Sequence, residues 1–203
     1  MALFADRDAA GRVLASALES WRGTDAVVLG IPRGGVVTAA EVSTALGLPL
    51  DAVVVRKLGA TGHEEFAVGA IADGVRIVTP SAVRWAGMSE TDVERVEKAE
   101  RNELARRTTA FGAPFIDLEG RTAIVVDDGV ATGSSAIAAC RALRSRQPSR
   151  IVLAVPVAPA KWSPPADAVD EYVCPHRERD FWAVGQYYDD FSQTTDAEVT
   201  ALL

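Results

Sequence analysis

The chain has 203 residues, of which 48% are hydrophobic and 24% charged, as expected for a globular protein with a substantial core. Its net charge of −7 disfavours a large nucleic-acid-binding surface, because backbone phosphates require basic partners. Two cysteines are too few for a disulfide framework, and no run approaches the ~20 apolar residues of a membrane span. Charges in the first turns are unlike a secretory leader, so we expect a cytoplasmic protein with no membrane or nucleic-acid partner.

Apolar strands alternate with helices in the first quarter of the chain. Apolar residues at helical spacing predict helices over 6–21 and 36–46, the second ending at Gly47. Short apolar runs predict strands over 26–31 and 50–55. Continuous apolar strands separated by helices indicate a parallel sheet that is covered on both faces.

The middle of the chain interrupts this alternation. Residues 59–65 read as a polar loop. The apolar runs 66–72 and 75–79 read as a β-hairpin, because Asp73 and Gly74 between them favour a type I′ turn.

The second half returns to strands and helices. A capping box at Ser89 and Asp92 predicts a long surface helix that ends near Arg107. A second capping box, at Thr195 and Glu198, predicts a short helix near the end of the chain. The whole pattern predicts one α/β domain over 1–203 with a doubly wound, mainly parallel sheet, whose later elements are strands over 122–126, 150–155 and 172–174 and a helix over 136–146.

The segment 123–135, AIVVDDGVATGSS, carries the clearest chemistry. An apolar strand leads into two carboxylates, Asp127 and Asp128, which can accept hydrogen bonds from two vicinal hydroxyls. A loop of small residues follows and opens a helix, whose first N–H groups lack internal partners and attract an anion. The order predicts a pocket for a phosphorylated sugar, and an ordinary strand-to-helix connection is the alternative.

This segment resembles the 5-phosphoribosyl-1-pyrophosphate (PRPP) signature of the type I phosphoribosyltransferases. That signature is an apolar strand, two acids, three mostly small or apolar residues, Thr, Gly, any residue, then Thr or Ser. Gly129 stands where an aliphatic residue is commoner, and Ser135 replaces the usual Thr; neither change removes a needed group. The resemblance implies that PRPP contacts Asp127, Asp128, Gly129, Val130, Ala131, Thr132, Gly133, Ser134 and Ser135.

A second loop, 30–35, also lies between a predicted strand and a helix. Its spacing fits neither a dinucleotide fingerprint nor a Walker loop, and a tight turn is the alternative. Two glycines beside an arginine can form a backbone nest for pyrophosphate. The loop resembles the pyrophosphate loop of the family, which implies pyrophosphate binding by Arg33, Gly34 and Gly35 and a non-proline cis peptide at an Arg-Gly or similar step.

Arg56 and Lys57 follow the strand predicted over 50–55, so we expect them at the same edge of the sheet, as residues that bind pyrophosphate. The family often places a lysine or arginine there to neutralise pyrophosphate, and Lys57 matches by position. A solvated charge at the end of a strand is the alternative.

Residues 58–80 stand where the family inserts a mobile flap that closes over PRPP and excludes water. The polar residues it would deliver are His63, Glu64 and Glu65. An ordinary polar loop tip is the alternative.

Residues 175–203 stand where family members build a hood over the acceptor. A planar heterocycle gains from stacking on an aromatic ring, which implies Phe181, Trp182 and Tyr187, with Tyr188, as candidates. Aromatic packing of the hood onto the core is the alternative.

The resemblance covers the whole chain in order and points to a branch of the family whose acceptor is unassigned. It implies transfer of the phosphoribosyl group from PRPP to a nitrogenous acceptor, such as a nucleobase, with release of pyrophosphate. The implied catalytic residues are Asp127, Asp128, Lys57 and Arg33. Mg²⁺ would be held indirectly by the two acids through substrate and water, and a homodimer is expected. A PRPP- or nucleotide-sensing regulator, a sugar-phosphate hydrolase and a non-catalytic sugar-phosphate binder are the alternatives.

Overall fold

A five-stranded parallel sheet lies at the centre of the computed structural model, which describes residues 2–72, 74–111 and 116–203, without the side chains of residues 64 and 65. In chain order, the helices and strands are α1 (Arg7–Ala17), β1 (Val27–Gly30), α2 (Gly34–Leu46), β2 (Leu50–Ala52), β3 (Val55–Ala60), β4 (His63–Ala72), β5 (Val75–Val78), α3 (Pro80–Trp85), α4 (Glu90–Ala110), β6 (Thr122–Val126), α5 (Ser134–Arg144), β7 (Arg150–Ala154), β8 (Val157–Pro159), β9 (Glu171–Val173), β10 (His176–Glu178) and α6 (Asp196–Leu202), with 3-10 turns at Glu19–Trp21 and Val184–Tyr187.

The central sheet has the order β2-β1-β6-β7-β9, and every neighbouring pair is parallel. Successive side chains of a strand point to opposite faces. On one face, Val28, Ile124 and Val152 pack with apolar residues of α1 and α2. On the other face, Leu29 and Val125 pack with α5 and with β3 to β5. The predicted α/β fold with a parallel sheet covered on both faces is confirmed.

The helix ends follow the capping signals in the sequence. The Ser89 side chain accepts a hydrogen bond from the Asp92 N–H, and the Asp92 carboxylate accepts one from the Ser89 N–H, at 3.2 and 3.0 Å. Thr195 and Glu198 form the same box at the start of α6. Both predicted capping boxes are confirmed, and each satisfies N–H groups that a helix leaves unpaired.

The strand predicted over 50–55 is wrong, because the chain changes sheet within it. Residues of β2 pair with β1 at the edge of the central sheet, whereas Val55 begins an antiparallel pairing with Ala72 of β4. Val53 and Val55 are both buried in the core cluster of the central sheet. The apolar run is therefore continuous although the strand is not.

The loop predicted over 59–65 is also wrong. Strands β3, β4 and β5 form an antiparallel sheet, and β3 turns into β4 at Thr61 and Gly62, where Gly62 has a φ of 79°. Gly74 has a φ of 67°, but Asp73 of the predicted turn lies outside the described residues.

The base of this three-stranded sheet belongs to the core. Ala70 and Ala72 pack with α5 and the central sheet, while Leu58 and Ile71 pack with Leu104 of α4 on the other side. The segment predicted as a flap over 58–80 is thus anchored at its base, and its tip at residues 61–63 is exposed.

Residues near the start of the chain pair with a segment that lies before the last helix. The segment 187–192, here called the C-terminal strap, runs beside residues 3–5. The Leu3 and Phe4 N–H groups donate to the Tyr187 carbonyl at 2.9 Å, and the Asp189 N–H donates to the Phe4 carbonyl at 2.9 Å. Sequence reasoning missed the parallel pair β8 and β10, in which Val157 packs with Phe4 and Tyr188. Among the described residues, no helix combines the length and apolar character needed to cross a membrane.

Candidate functional site

The two loops singled out from the sequence meet at one crevice of the central sheet. Strands β1 and β6 are neighbours, with Gly30 opposite Val126, and the Ile31 N–H donates to the Val126 carbonyl at 2.9 Å. The strand that follows β1 in the central sheet, β2, lies on one side of this pair, and the strand that follows β6, β7, lies on the other. Open α/β sheets bind ligands at such a switch point, beyond the carboxyl ends of the strands.

Gly34 and Gly35 lie directly against the acid pair. A methyl group at Gly34 would lie 2.1 Å from Oδ2 of Asp128, and one at Gly35 would lie 2.9 Å from Oδ1 of Asp127. Glycine is therefore required at both positions for the first loop to approach the second. The structure brings the predicted pyrophosphate loop and the predicted ribose-binding acids into van der Waals contact.

One oxygen of each carboxylate accepts a hydrogen bond within the protein. Oδ1 of Asp127 accepts the Asp128 N–H at 2.9 Å, and Oδ2 of Asp128 accepts Nε of Arg7 at 2.8 Å. No described residue donates to Oδ2 of Asp127 or Oδ1 of Asp128. One oxygen of each carboxylate is therefore without a donor among the described residues and can accept a hydrogen bond from a hydroxyl.

Burial raises the pKa of both carboxyls. The pKa of Asp127 lies well above its usual range because of desolvation first and the charge of Asp128 second. Desolvation also raises the pKa of Asp128, and Arg7 opposes this rise. Such acids favour a ligand that brings hydroxyl donors or cationic charge.

The small-residue loop presents unpaired backbone donors. Helix α5 begins at Ser134, after Gly133 with a φ of 81°, and no side chain caps it. None of the N–H groups of residues 131–135 donates to another described residue. Ala131 and Thr132 are exposed. A run of free N–H groups at a helix N-terminus is the geometry that binds a phosphate.

Two side chains that sequence reasoning missed support this loop. A methyl group at Gly133 would lie 2.3 Å from Cζ2 of Trp162, whose indole N–H donates to the Thr132 carbonyl at 3.1 Å. A methyl group at Gly129 would lie 2.5 Å from Cγ1 of Val184. The unusual Gly129 of the motif therefore makes room for Val184.

Arg33 lies in the pyrophosphate loop, next to a cis peptide. The bond between Pro32 and Arg33 is cis, one bond before the Arg-Gly step. The Arg33 guanidinium is 3.6 Å from Oδ1 of Asp196 at the start of α6. In this structure the side chain thus pairs with the C-terminal helix.

Arg56 and Lys57 do not end a strand of the central sheet, as predicted, because both belong to β3. Nε of Arg56 donates to Glu100 of α4 at 2.6 Å. Both residues line a cavity of about 530 Å³ between β3 and α4. The prediction fails because the apolar run before Arg56 leaves the central sheet after Ala52, so that Arg56 and Lys57 lie inside the antiparallel sheet.

The predicted flap residues begin β4. His63 is exposed at the tip, and the side chains of Glu64 and Glu65 lie outside the described residues.

The candidate acceptor residues divide into two groups. Tyr187 is only 7% exposed, and the centre of its ring lies 5.2 Å from that of Phe181, whereas Trp182 is 87% exposed. Of these three rings, Trp182 has the accessible face that stacking requires.

Arg7 is the third residue that sequence reasoning missed. It lies 121 positions from Asp128 along the chain, and its side chain is only 12% exposed beside the acid. The Tyr188 hydroxyl donates to the Asp128 carbonyl from the C-terminal strap. No local pattern marks either contact, because both depend on the pairing of residues 3–5 with the C-terminal strap.

The chain matches a known protein family over most of its length. The family described as the phosphoribosyl transferase domain matches residues 5–192. The chain belongs to this family, and the resemblance on which the sequence interpretation depended is confirmed.

A protein of Mycobacterium tuberculosis strain H37Rv, named "Putative phosphoribosyl transferase", is 46% identical over 210 residues. That alignment covers 100% of this chain and 47% of the relative, so the chain spans about half the length of the curated relatives it matches. The crystal structure of TT1426 from Thermus thermophilus is 41% identical, with a TM-score of 0.77, and the match covers 100% of this chain and 97% of that one. A Neisseria gonorrhoeae protein crystallised with ppGpp shares the fold alone, with 15% identity and a TM-score of 0.53 over 97% of this chain and 90% of its own.

Proposed function

We propose that this domain transfers the 5-phosphoribosyl group from PRPP to a nitrogenous heterocycle, such as a nucleobase, and releases pyrophosphate. The observation that carries the proposal is the meeting of three groups at one crevice: two free carboxylate oxygens, a run of free N–H groups and the glycine pair. These groups match a ribose diol, a 5-phosphate and a pyrophosphate. The family and the relatives named as transferases support the same activity.

In this proposal, the backbone of residues 131–135 and the start of α5 bind the 5-phosphate. Oδ2 of Asp127 and Oδ1 of Asp128 accept the two ribose hydroxyls, which orients the anomeric carbon towards the acceptor. Gly34 and Gly35 let pyrophosphate approach the backbone. Transfer is a displacement at the anomeric carbon: the bond to pyrophosphate breaks and its electron pair leaves with pyrophosphate, while the lone pair of the acceptor nitrogen forms the new bond and that nitrogen loses its proton to solvent. Positioning and electrostatics supply most of the acceleration.

The acid pair also fits the expected role of Mg²⁺. The described residues contain no cluster of three or more histidine, cysteine or acidic side chains that could enclose a metal ion. Mg²⁺ commonly takes one or two carboxylates and completes its shell with water and substrate oxygens. Because the ribose hydroxyls take the free oxygens of Asp127 and Asp128 in this proposal, the two acids would hold the ion indirectly, through substrate and water oxygens, and it would neutralise charge on the leaving pyrophosphate.

Other parts of the assignment stay predictions. Lys57 and Arg33 are proposed to stabilise pyrophosphate, His63, Glu64 and Glu65 to close over the substrate, and Trp182 to stack on the acceptor. The single domain over 1–203, the homodimer and the cytoplasmic location are proposed on the resemblance.

The test measures pyrophosphate release from PRPP and Mg²⁺ with a panel of nucleobases and related heterocycles. The matched variant carries Asp127→Asn and Asp128→Asn, which keep the side-chain shape and remove the charge. We expect one acceptor class to yield pyrophosphate with the wild-type chain and none with the variant, whose circular dichroism stays unchanged. PRPP binding without turnover of any acceptor would contradict transfer and favour the sensing function. Absence of PRPP binding in calorimetry would contradict the proposal as a whole.

A further inference from the structure

Arg7 joins three parts of the molecule at the acid pair. Its Nε donates to Oδ2 of Asp128 at 2.8 Å, and one Nη donates to the Ser192 carbonyl of the C-terminal strap at 2.8 Å. Its guanidinium carbon lies 4.0 Å from the centre of the Phe191 ring. A methyl group at Gly34 would lie 2.5 Å from Nε, so the pyrophosphate loop closes the remaining side.

These contacts restrict the guanidinium to one orientation. Arginine presents its donors in a rigid plane, and that plane is fixed here by a carboxylate, a carbonyl and an aromatic face. The backbone that carries these groups is fixed as well, because the Asp190 N–H donates to the Ala5 carbonyl at 2.8 Å. Arg7 is therefore held from the strap side as well as from the acid side.

The consequence for Asp128 is a fixed carboxylate. A half-buried acid with no partner would rotate towards solvent or bind a proton, since an unpaired charge is costly in this environment. The bond from Arg7 occupies Oδ2 alone, which leaves Oδ1 without a donor among the described residues. The same bond thus determines which oxygen of Asp128 is available to a ligand.

We propose that Arg7 is a positioning residue for PRPP: it holds Asp128 so that Oδ1 accepts a ribose hydroxyl, and it makes this orientation depend on the docked C-terminal strap. This inference rests on the proposed function. Arg7 acts through Asp128 and takes no part in the chemical step.

Calorimetry with PRPP and Mg²⁺ tests the inference without knowledge of the acceptor, because it yields both an affinity and a stoichiometry. Arg7→Gln should weaken PRPP binding by about 10- to 100-fold, the range for a lost hydrogen bond to a charged group, at unchanged stoichiometry. Arg7→Lys keeps the charge but cannot make all three contacts, so its affinity should lie between those of Arg7→Gln and the wild type. Arg12→Gln is the matched control on the same helix, since Arg12 is 60% exposed and 3.4 Å from Glu41.

The outcomes separate this inference from its premise. A wild-type chain that does not bind PRPP refutes the proposed function. Wild-type binding with an Arg7→Gln affinity within threefold refutes this inference alone. Reduced stoichiometry with unchanged affinity would assign Arg7 a purely structural role, and tighter binding would show that Arg7 competes with the diol; either result overturns the proposal. If Arg7→Gln does not fold, the PRPP affinity of Arg7→Lys provides the test, and a wild-type affinity in that variant overturns the proposal.

Discussion

Replacing Gly34 with alanine tests whether contact between the two loops is essential. The new methyl group would lie 2.1 Å from Oδ2 of Asp128, well inside van der Waals contact. The carboxylate must move by roughly 1 Å, which also breaks its bond to Arg7. A displaced carboxylate loses its hydrogen bond to the ligand, and a hydrogen bond to a charged group is worth about 1.5–3 kcal/mol, or about 10- to 100-fold in affinity. We therefore expect Gly34→Ala to weaken PRPP binding by about 10- to 100-fold.

The variant should nevertheless fold. Gly34 is the first residue of α2, and its negative φ also suits alanine, so the cost to folding is the overpacking of about 1–3 kcal/mol, which is less than the stability of about 5–15 kcal/mol of a typical domain. Gly120→Ala is the matched control: its φ of 72° penalises alanine, but no atom lies within 4 Å of the new methyl group. Calorimetry with PRPP and thermal unfolding of both variants give the comparison. An affinity of Gly34→Ala within threefold of the wild type would refute the reasoning about this crevice.

Two further changes probe the loop and the acids. Trp162→Leu removes the ring that packs against Gly133 and the hydrogen bond to the Thr132 carbonyl. Ribose 5-phosphate should therefore bind about tenfold more weakly in calorimetry. An unchanged affinity would show that Trp162 does not support the loop. Asp127→Asn should raise the Tm at pH 7, because burial raises the folded-state pKa of Asp127, so that the protein loses stability as pH rises from the ordinary pKa of an aspartate through the folded value. Scanning calorimetry measures this shift, and a lower Tm would contradict the sign.

Local signals account for what the sequence predicted well. The strand over 122–126 and both capping boxes have the predicted bounds, since a strand of continuous apolar residues and a helix cap are each determined by a few neighbouring positions. The glycines at 34 and 35 were also informative, because close backbone approach requires their type.

Long-range packing accounts for what the sequence missed. Val53 to Val55 continue an apolar run while the chain leaves one sheet for another, and periodicity does not distinguish two buried strands in different sheets. Trp162 reaches the Thr132 carbonyl across 30 positions, so no motif joins them. The aromatic character of Tyr187 predicts stacking on an acceptor, but packing against distant residues leaves Tyr187 only 7% exposed.

The pair between Arg33 and Asp196 yields a final prediction about pyrophosphate. Asp196 lies 3.6 Å from Arg33 and also accepts a hydrogen bond from Arg106, so it draws Arg33 towards α6. Asp196→Asn should release Arg33 and strengthen binding of Mg²⁺-pyrophosphate by up to about fivefold, which corresponds to a partly exposed ion pair. Glu198→Ala is the control, because it removes the side chain that completes the capping box of α6 and leaves the charge of Asp196 unchanged. Equal strengthening in both variants would attribute the effect to docking of α6, and weaker binding in Asp196→Asn would show that Asp196 orients Arg33 for pyrophosphate instead of competing for it.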